Sequence, residues 1–296
     1  MPLADQTEAS LAVSDPKRMN RTTFSAARLG LIAQNTLRET MRQRFFPLLL
    51  LVAAALGLAA WWLRDCSLGA PRTKFLLDSG FAGLSFFGAV IAIVISAQSF
   101  AGEIERRTVH VVLARPVSRT EFVLGKLAGV LGLLLVFIAA GTGLLVGLAS
   151  WQETGTEALS AGMPGGGGAP SGPAIIGCGL VQLLRSGVLA ALTLLVASFA
   201  RGSLFAVMSG FAALTICSLQ SVARDACQVA GSEWAKGVVG AVAFILPDFG
   251  LYDVADGVAA GGALSPAYLA GITLYSMVYM AWFGGLSVFC FRHREL

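Results

Sequence analysis

EIERRTVHVVLARPVSRTEFVLGK, residues 103 to 126, packs eight charged side chains between two long apolar segments, and its reading decides the fold. Five are basic (Arg106, Arg107, Arg115, Arg119, Lys126) and three acidic (Glu103, Glu105, Glu121). Charge at this density must lie in water, and the basic excess points to the cytoplasmic face of a membrane. Ser118 followed three residues later by Glu121 is a capping box, and Pro116 disfavours helical geometry at Arg115. One helix is therefore expected to end near Ala114 and the next to begin near Arg119, forming a sharp elbow between two membrane helices.

The rest of the chain reads as membrane. Of 296 residues 56% are hydrophobic and 13% charged, with a mean hydropathy of +0.75, a composition that excludes an ordinary soluble core. The expected class is all-α, a polytopic integral membrane protein. Two histidines, and five cysteines without CxxC or CxxxC spacing, leave no recognisable metal cage. The net charge of +4 is not clustered with aromatics, so nucleic acid is not an expected partner.

Working outward, residues 1–21 are polar, lack the apolar core of a signal peptide, and read as a disordered cytoplasmic tail. Residues 22–46 alternate Leu29, Ile32, Leu37, Met41 and Phe45 with Arg28, Arg38, Arg42 and Arg44 at helical spacing, which predicts an amphipathic helix on the inner membrane surface. Residues 47–296 form the transmembrane region, with six spans expected at about 47–63, 81–101, 122–150, 174–200, 203–222 and 268–291. Residues 64–80 and the Gly/Pro-rich stretch 151–173 read as loops. Gly125, Gly129, Gly132, Gly141, Gly143 and Gly147 predict close helix packing along the third span. Between 223 and 266 lies an external region whose apolar piece, 237–247, is too short to span and reads as re-entrant. It ends at Pro247, after which Asp248, Asp253 and Asp256 read as a solvated loop, their spacing not matching a calcium loop.

Both ends inside the cell puts 15 of the 21 Lys/Arg on the cytoplasmic side, the asymmetry a bacterial-type inner membrane protein requires. Cys66 and Cys227 then face outward, where a disulfide is chemically allowed, although Cys178 near the same face leaves the pairing open and unpaired thiols are the simpler alternative. Arg185 lies inside the fourth apolar stretch, about 17 Å from Ala174 at ~1.5 Å per residue. It is read either as snorkelling or paired between helices, or as a contact on a substrate path. No GxxxxGK[ST] phosphate loop occurs, and Gly165 to Gly168 is not followed by one, so ATP hydrolysis is not expected of this chain.

The elbow resembles that of the permease subunits of type-2 ABC exporters, in which E-x-E-x-x-T, P-[IV]-S-R and L-G-K recur between the second and third spans. The corresponding residues are Glu103, Glu105, Thr108, Pro116, Val117, Ser118, Arg119, Leu124, Gly125 and Lys126. Arg107 stands where the commoner form carries glycine, so that position need not adopt a glycine-only geometry. The likeness runs along nearly the whole chain, through LRETMRQR, ILPDFGLYD and the F-x-x-R-E-L terminus, and is similar to the group associated with multicopper-enzyme maturation. The resemblance implies a separate ATPase subunit, which would bind ATP and magnesium, docking beneath the elbow, and a second permease copy, identical or not, completing a dimer. Glu103, Glu105, Arg106, Arg107, Thr108, Arg115, Pro116, Val117, Ser118, Arg119, Glu121, Gly125 and Lys126 are then the coupling residues.

Three classes of function follow. The first is an exporter permease in the lipid bilayer. The second keeps the ATPase but transmits motion to an external client protein through residues 223–266, without cargo. An intramembrane enzyme is disfavoured, since the spans lack Ser/His, HExxH or paired-Asp arrangements. Apolar, glycine-rich spans suit a hydrophobic cargo, yet they equally suit a helix dimer that never opens a wide polar path.

Overall fold

The computed structural model describes residues 30–31, 33–36, 58, 72–105, 119–156, 171–200, 202–230, 237, 240, 245–259, 262 and 264–292. Among these residues every regular element is helical, and the chain is an all-α polytopic membrane protein. The elements are α1 (Arg72–Glu105), α2 (Arg119–Thr156), α3 (Gly172–Phe199), α4 (Ser203–Ala230), a 3-10 turn (Phe249–Tyr252), α5 (Ala255–Ala259) and α6 (Pro266–Arg292).

Five helices are long and apolar enough to cross a membrane: Lys74–Phe100, Thr120–Ser150, Gly172–Phe199, Ser203–Ala226 and Pro266–Phe291. They correspond to the second to sixth expected spans. The first, 47–63, lies outside the described residues except for helical Leu58, as does most of the re-entrant piece 237–247, of which Gly237, Gly240 and Ile245 are helical.

α2 begins at Arg119, where the sequence puts it, with Glu121 in the first turn complementing the helix dipole. At α3, Pro173 occupies the first turn, where its missing N–H costs nothing, and the Ser171 carbonyl accepts from the Ala174 N–H at 2.9 Å. Pro266 opens α6 in the same way.

α1, α3 and α6 run parallel, and α2 and α4 antiparallel to them. α3 packs against all four and is the most enclosed, with 72% of its span buried against 22% for α4 and 28% for α6. The apolar faces of α4 and α6 are consequently open, carrying Leu204, Met208, Val222, Leu274, Val278 and Trp282.

Of the six α2 glycines, Gly141 and Gly129 mark close approaches. A Cβ at Gly141 would lie 2.5 Å from Leu84 Cδ1 of α1, and one at Gly129 only 2.7 Å from Thr36 Cβ, whereas Gly132, Gly143 and Gly147 face open space. The Thr36 contact matters for the amphipathic segment. Residues 33–36 are helical and Thr36 is buried about 15 Å along α2 from Arg119, so this part packs onto the bundle instead of lying clear of it.

Three loop boundaries are corrected. The stretch 64–80 is helical from Arg72, because Gly80 lets α1 seat against Leu145 and Asp78 turns into a cavity. Residues 151–156 continue α2, having no proline or other breaker to stop it. α4 runs on to Ala230, with Arg224 held by Asp248 at 3.2 Å.

Candidate functional site

The two ends of the bundle carry its polar chemistry. At the elbow end, three phenylalanines from three helices close the core. Phe100 of α1 lies 5.1 Å from Phe291 of α6 and 5.7 Å from Phe122 of α2, and all three are buried. Offset aromatic contacts of this kind add about 0.5–1.5 kcal/mol per pair beyond burial.

The predicted coupling residues divide here. Glu103 and Glu105 fall in the last turn of α1 and Arg119 opens α2, while Arg106, Arg107, Thr108, Arg115, Pro116, Val117 and Ser118 lie outside the described residues. Glu121 is fully buried, Gly125 is buried, and Lys126 is 4% exposed with its Nζ 5.7 Å from the Phe122 ring. The last three face the interior of this chain, where they fix the start of α2.

At the opposite end a cavity of about 130 Å³ opens between α1, α3 and the segment 252–256. Two helical faces build it. Asp78, Ala82 and Ser85 stand at i, i+4 and i+7 of α1, and Cys178, Gln182 and Arg185 repeat that spacing on α3. Arg185 Nη1 donates to Ser85 Oγ at 2.9 Å, and its guanidinium lies 5.3 Å from the centre of the Phe249 ring. The arginine is thus held between helices and also lines the cavity.

The third wall is the stretch expected to be a solvated loop. Asp253 and Asp256 are exposed at the cavity rim, but Asp248, Phe249 and Tyr252 are buried. Asp248 cannot stay in water because its contacts draw it in. Its Oδ1 accepts from the Gly250 N–H at 2.9 Å, its Oδ2 pairs with Arg224, and its own N–H donates to Tyr275 Oη at 3.0 Å. Ser276 donates to the Ile272 carbonyl, so at 2.7 Å Tyr252 donates its hydroxyl to Ser276, while Tyr268 donates to the Leu251 carbonyl. All four tyrosines of the chain therefore gather at this end, Tyr279 stacking on Tyr275 at 4.8 Å. Burial pushes the Tyr252 hydroxyl up to about 12, so it remains a donor throughout the physiological range.

A family model described as ABC-2 family transporter protein matches residues 17–224, which span the elbow, α1 to α3 and most of α4. This chain belongs to the ABC-2 transporter family. No curated protein matches it. As a family member it is a multi-pass membrane permease subunit of an ABC transporter. The cavity uses both sides of the family match, since Asp78, Ser85 and Arg185 fall inside it and Tyr252, Asp253 and Asp256 beyond it.

Cys66 lies outside the described residues and Cys227 sits in the last turns of α4. Cys178, the third sulfur considered, is buried and free, as are Cys217 and, at the other end, half-buried Cys290. No group of three or more His, Cys, Asp or Glu side chains is arranged to hold a metal among the described residues. Sequence reasoning missed Asp78, Ser85, Gln182 and the tyrosines, although the matched i, i+4, i+7 spacings on α1 and α3 carried the signal.

Proposed function

We propose that this ABC-2 permease is an exporter subunit that dimerises and is driven by a separate ATPase docking at residues 103–126. In this reading both termini lie in the cytoplasm and the bilayer is an inner membrane, as the distribution of Lys and Arg supports. The observation that carries the proposal is the clamped pair of helices leading to the elbow. α1 reaches Glu105 and α2 starts at Arg119, and Phe100, Phe122 and Phe291 tie both to α6. A push at the elbow then moves α1 and α2 as one body against α3. Glu103, Glu105, Arg106, Arg107, Arg115 and Arg119 offer charged contacts to the ATPase, which would bind ATP and magnesium. Thr108, Pro116, Val117, Ser118, Glu121, Gly125 and Lys126 set the shape of the elbow. The open faces of α4 and α6 are available to lipid and to a second permease copy.

Co-purification with the ATPase encoded beside this chain, in wild-type and charge-reversed forms, tests the proposal. Arg119→Glu and Glu105→Arg should each weaken the complex at least tenfold, and undiminished recovery of the ATPase with both variants would overturn the docking site.

A second reading, motion passed to an external client without cargo, is favoured by the Arg224–Asp248 pair and the tyrosine contacts, which bind the segment 248–259 to α4 and α6. Substrate-stimulated ATP hydrolysis in liposomes holding only permease and ATPase would exclude it.

A further inference from the structure

We propose that the cavity between α1, α3 and α5 binds a small primary amine that also carries a hydrogen-bond-accepting oxygen. The two unfilled groups facing this space define the ligand. Gln182 is more than nine-tenths buried, at 8% exposure, and its Nε2 has no hydrogen-bond partner, while Asp78 Oδ1 is buried and equally unpartnered. A buried donor and a buried acceptor left unmade are costly, and both line the same cavity. An occupant that donates to Asp78 and accepts from Gln182 satisfies both.

Charge selects the donor. Asp78, Asp253 and Asp256 put three carboxylates around the space, and Asp78 and Asp256 act on one another as like charges. Lys74, one turn before Asp78 on α1, acts on it from the same helix. Arg185 is the one cation lining the cavity, and it is held by the Ser85 hydroxyl and the Phe249 ring. A protonated amine therefore meets a net negative site.

Size and chemistry narrow the choice. A single water needs roughly 10–15 Å³ of such space, so about 130 Å³ admits a molecule of several heavy atoms. A metal ion is disfavoured because these carboxylates do not converge into a ligand set. An apolar amine would leave Gln182 and the spare guanidinium N–H groups of Arg185 unanswered. The amine could arrive as a free solute or as a lipid headgroup, which share this chemistry.

The inference goes beyond the exporter proposal and stands apart from it, because binding needs no ATPase. The experiment is calorimetric titration of the full-length permease alone, in phosphatidylcholine nanodiscs, with ethanolamine, ethylamine and ethylene glycol as matched probes. Saturable ethanolamine binding at one site per chain is expected, at least tenfold tighter than ethylamine, with no measurable ethylene glycol binding. Asp78→Asn should weaken ethanolamine at least tenfold. Gln182→Leu should cut the preference for ethanolamine over ethylamine to less than threefold, and exposed Asp225→Asn should change nothing. Gln182→Leu keeps the test decisive if Asp78→Asn fails to fold. Failure of all three probes to bind, equal affinity for the two amines, or ethanolamine affinity and selectivity untouched in the cavity variants that fold would each overturn the proposal. Repeating the titration in phosphatidylethanolamine nanodiscs separates the sources: an unchanged affinity upholds a free amine, and a weakened one upholds the lipid headgroup.

Discussion

Asp248 should be the residue whose loss frees the segment 249–259 from the bundle. Its carboxylate makes two contacts that substitution removes separately, the Oδ1 bond to the Gly250 N–H and the Oδ2 pair with Arg224, while its N–H bond to Tyr275 survives any side-chain change. Replacing a capping Asp by Ala costs about 1 kcal/mol. The ion pair is asymmetric, with the Asp248 side chain 7% exposed and Arg224 42%, so solvent screening holds its worth to about 0.5–1 kcal/mol. Asp248→Ala should then destabilise the docked segment by about 2 kcal/mol, some 30-fold in its opening equilibrium, and Asp248→Asn, which keeps an acceptor, by only ~3-fold. Arg224→Met should do more harm than Asp248→Asn, because it strands a buried carboxylate, and should do less in the Asp248→Asn background. Amide hydrogen exchange of residues 249–259 in nanodiscs reads all four. Equal exchange in the Asn and Ala variants, or an Ala variant exchanging at the wild-type rate, would refute the capping argument.

Phe291→Ala should cost about 3 kcal/mol by opening the three-helix aromatic cluster at the elbow end, seen as a lower melting temperature in detergent. Gly179→Ala should drive a Cβ into Thr142 and cost about 1–3 kcal/mol, with Thr142→Ala restoring most of it in the double variant's thermal melt. Because Tyr252 ionises near 12 when folded against 10 for its ordinary value, the unfolded chain loses that proton first as pH rises. Stability is thus intact below pH 10 and falls between 10 and 12 by up to about 3 kcal/mol, a decline that Tyr252→Phe should remove from alkaline melting curves.

The spans were legible because apolar length alone specifies them, and the start of α2 because Pro116, Ser118 and Glu121 are local signals. The cavity was not, because its contacts join distant residues. Arg185 meets Ser85 across 100 positions and Asp248 meets Tyr275 across 27, distances over which helical periodicity says nothing. Asp248 misled for a related reason. Three carboxylates after a proline look solvated until Arg224, itself beyond the expected end of its span, is known to lie beside one of them. Glu121 likewise reads as a surface charge in the sequence and is buried in the fold, since a capping position and an interior one share the same local pattern.

The two ends are joined by helices that have little freedom to move independently. α1 and α3 are parallel and stay in contact from Ser85 and Arg185 to the level of Ile93 and Thr193, both of which approach Gly210 of α4. If a partner ATPase displaces α1 at the elbow, the shift must either be carried up the helix or be absorbed by bending it, and α1 contains no proline to bend at. The rise of one residue is ~1.5 Å, and a slide of that size along α3 is enough to stretch the 2.9 Å Arg185–Ser85 bond past hydrogen-bonding range unless the arginine follows. An arginine that follows leaves the Phe249 ring, and one that stays turns a donor toward Asp78 and Gln182. Either response changes the polarity of the cavity, so elbow motion and amine occupancy would bias one another through the pair Ser85 and Arg185.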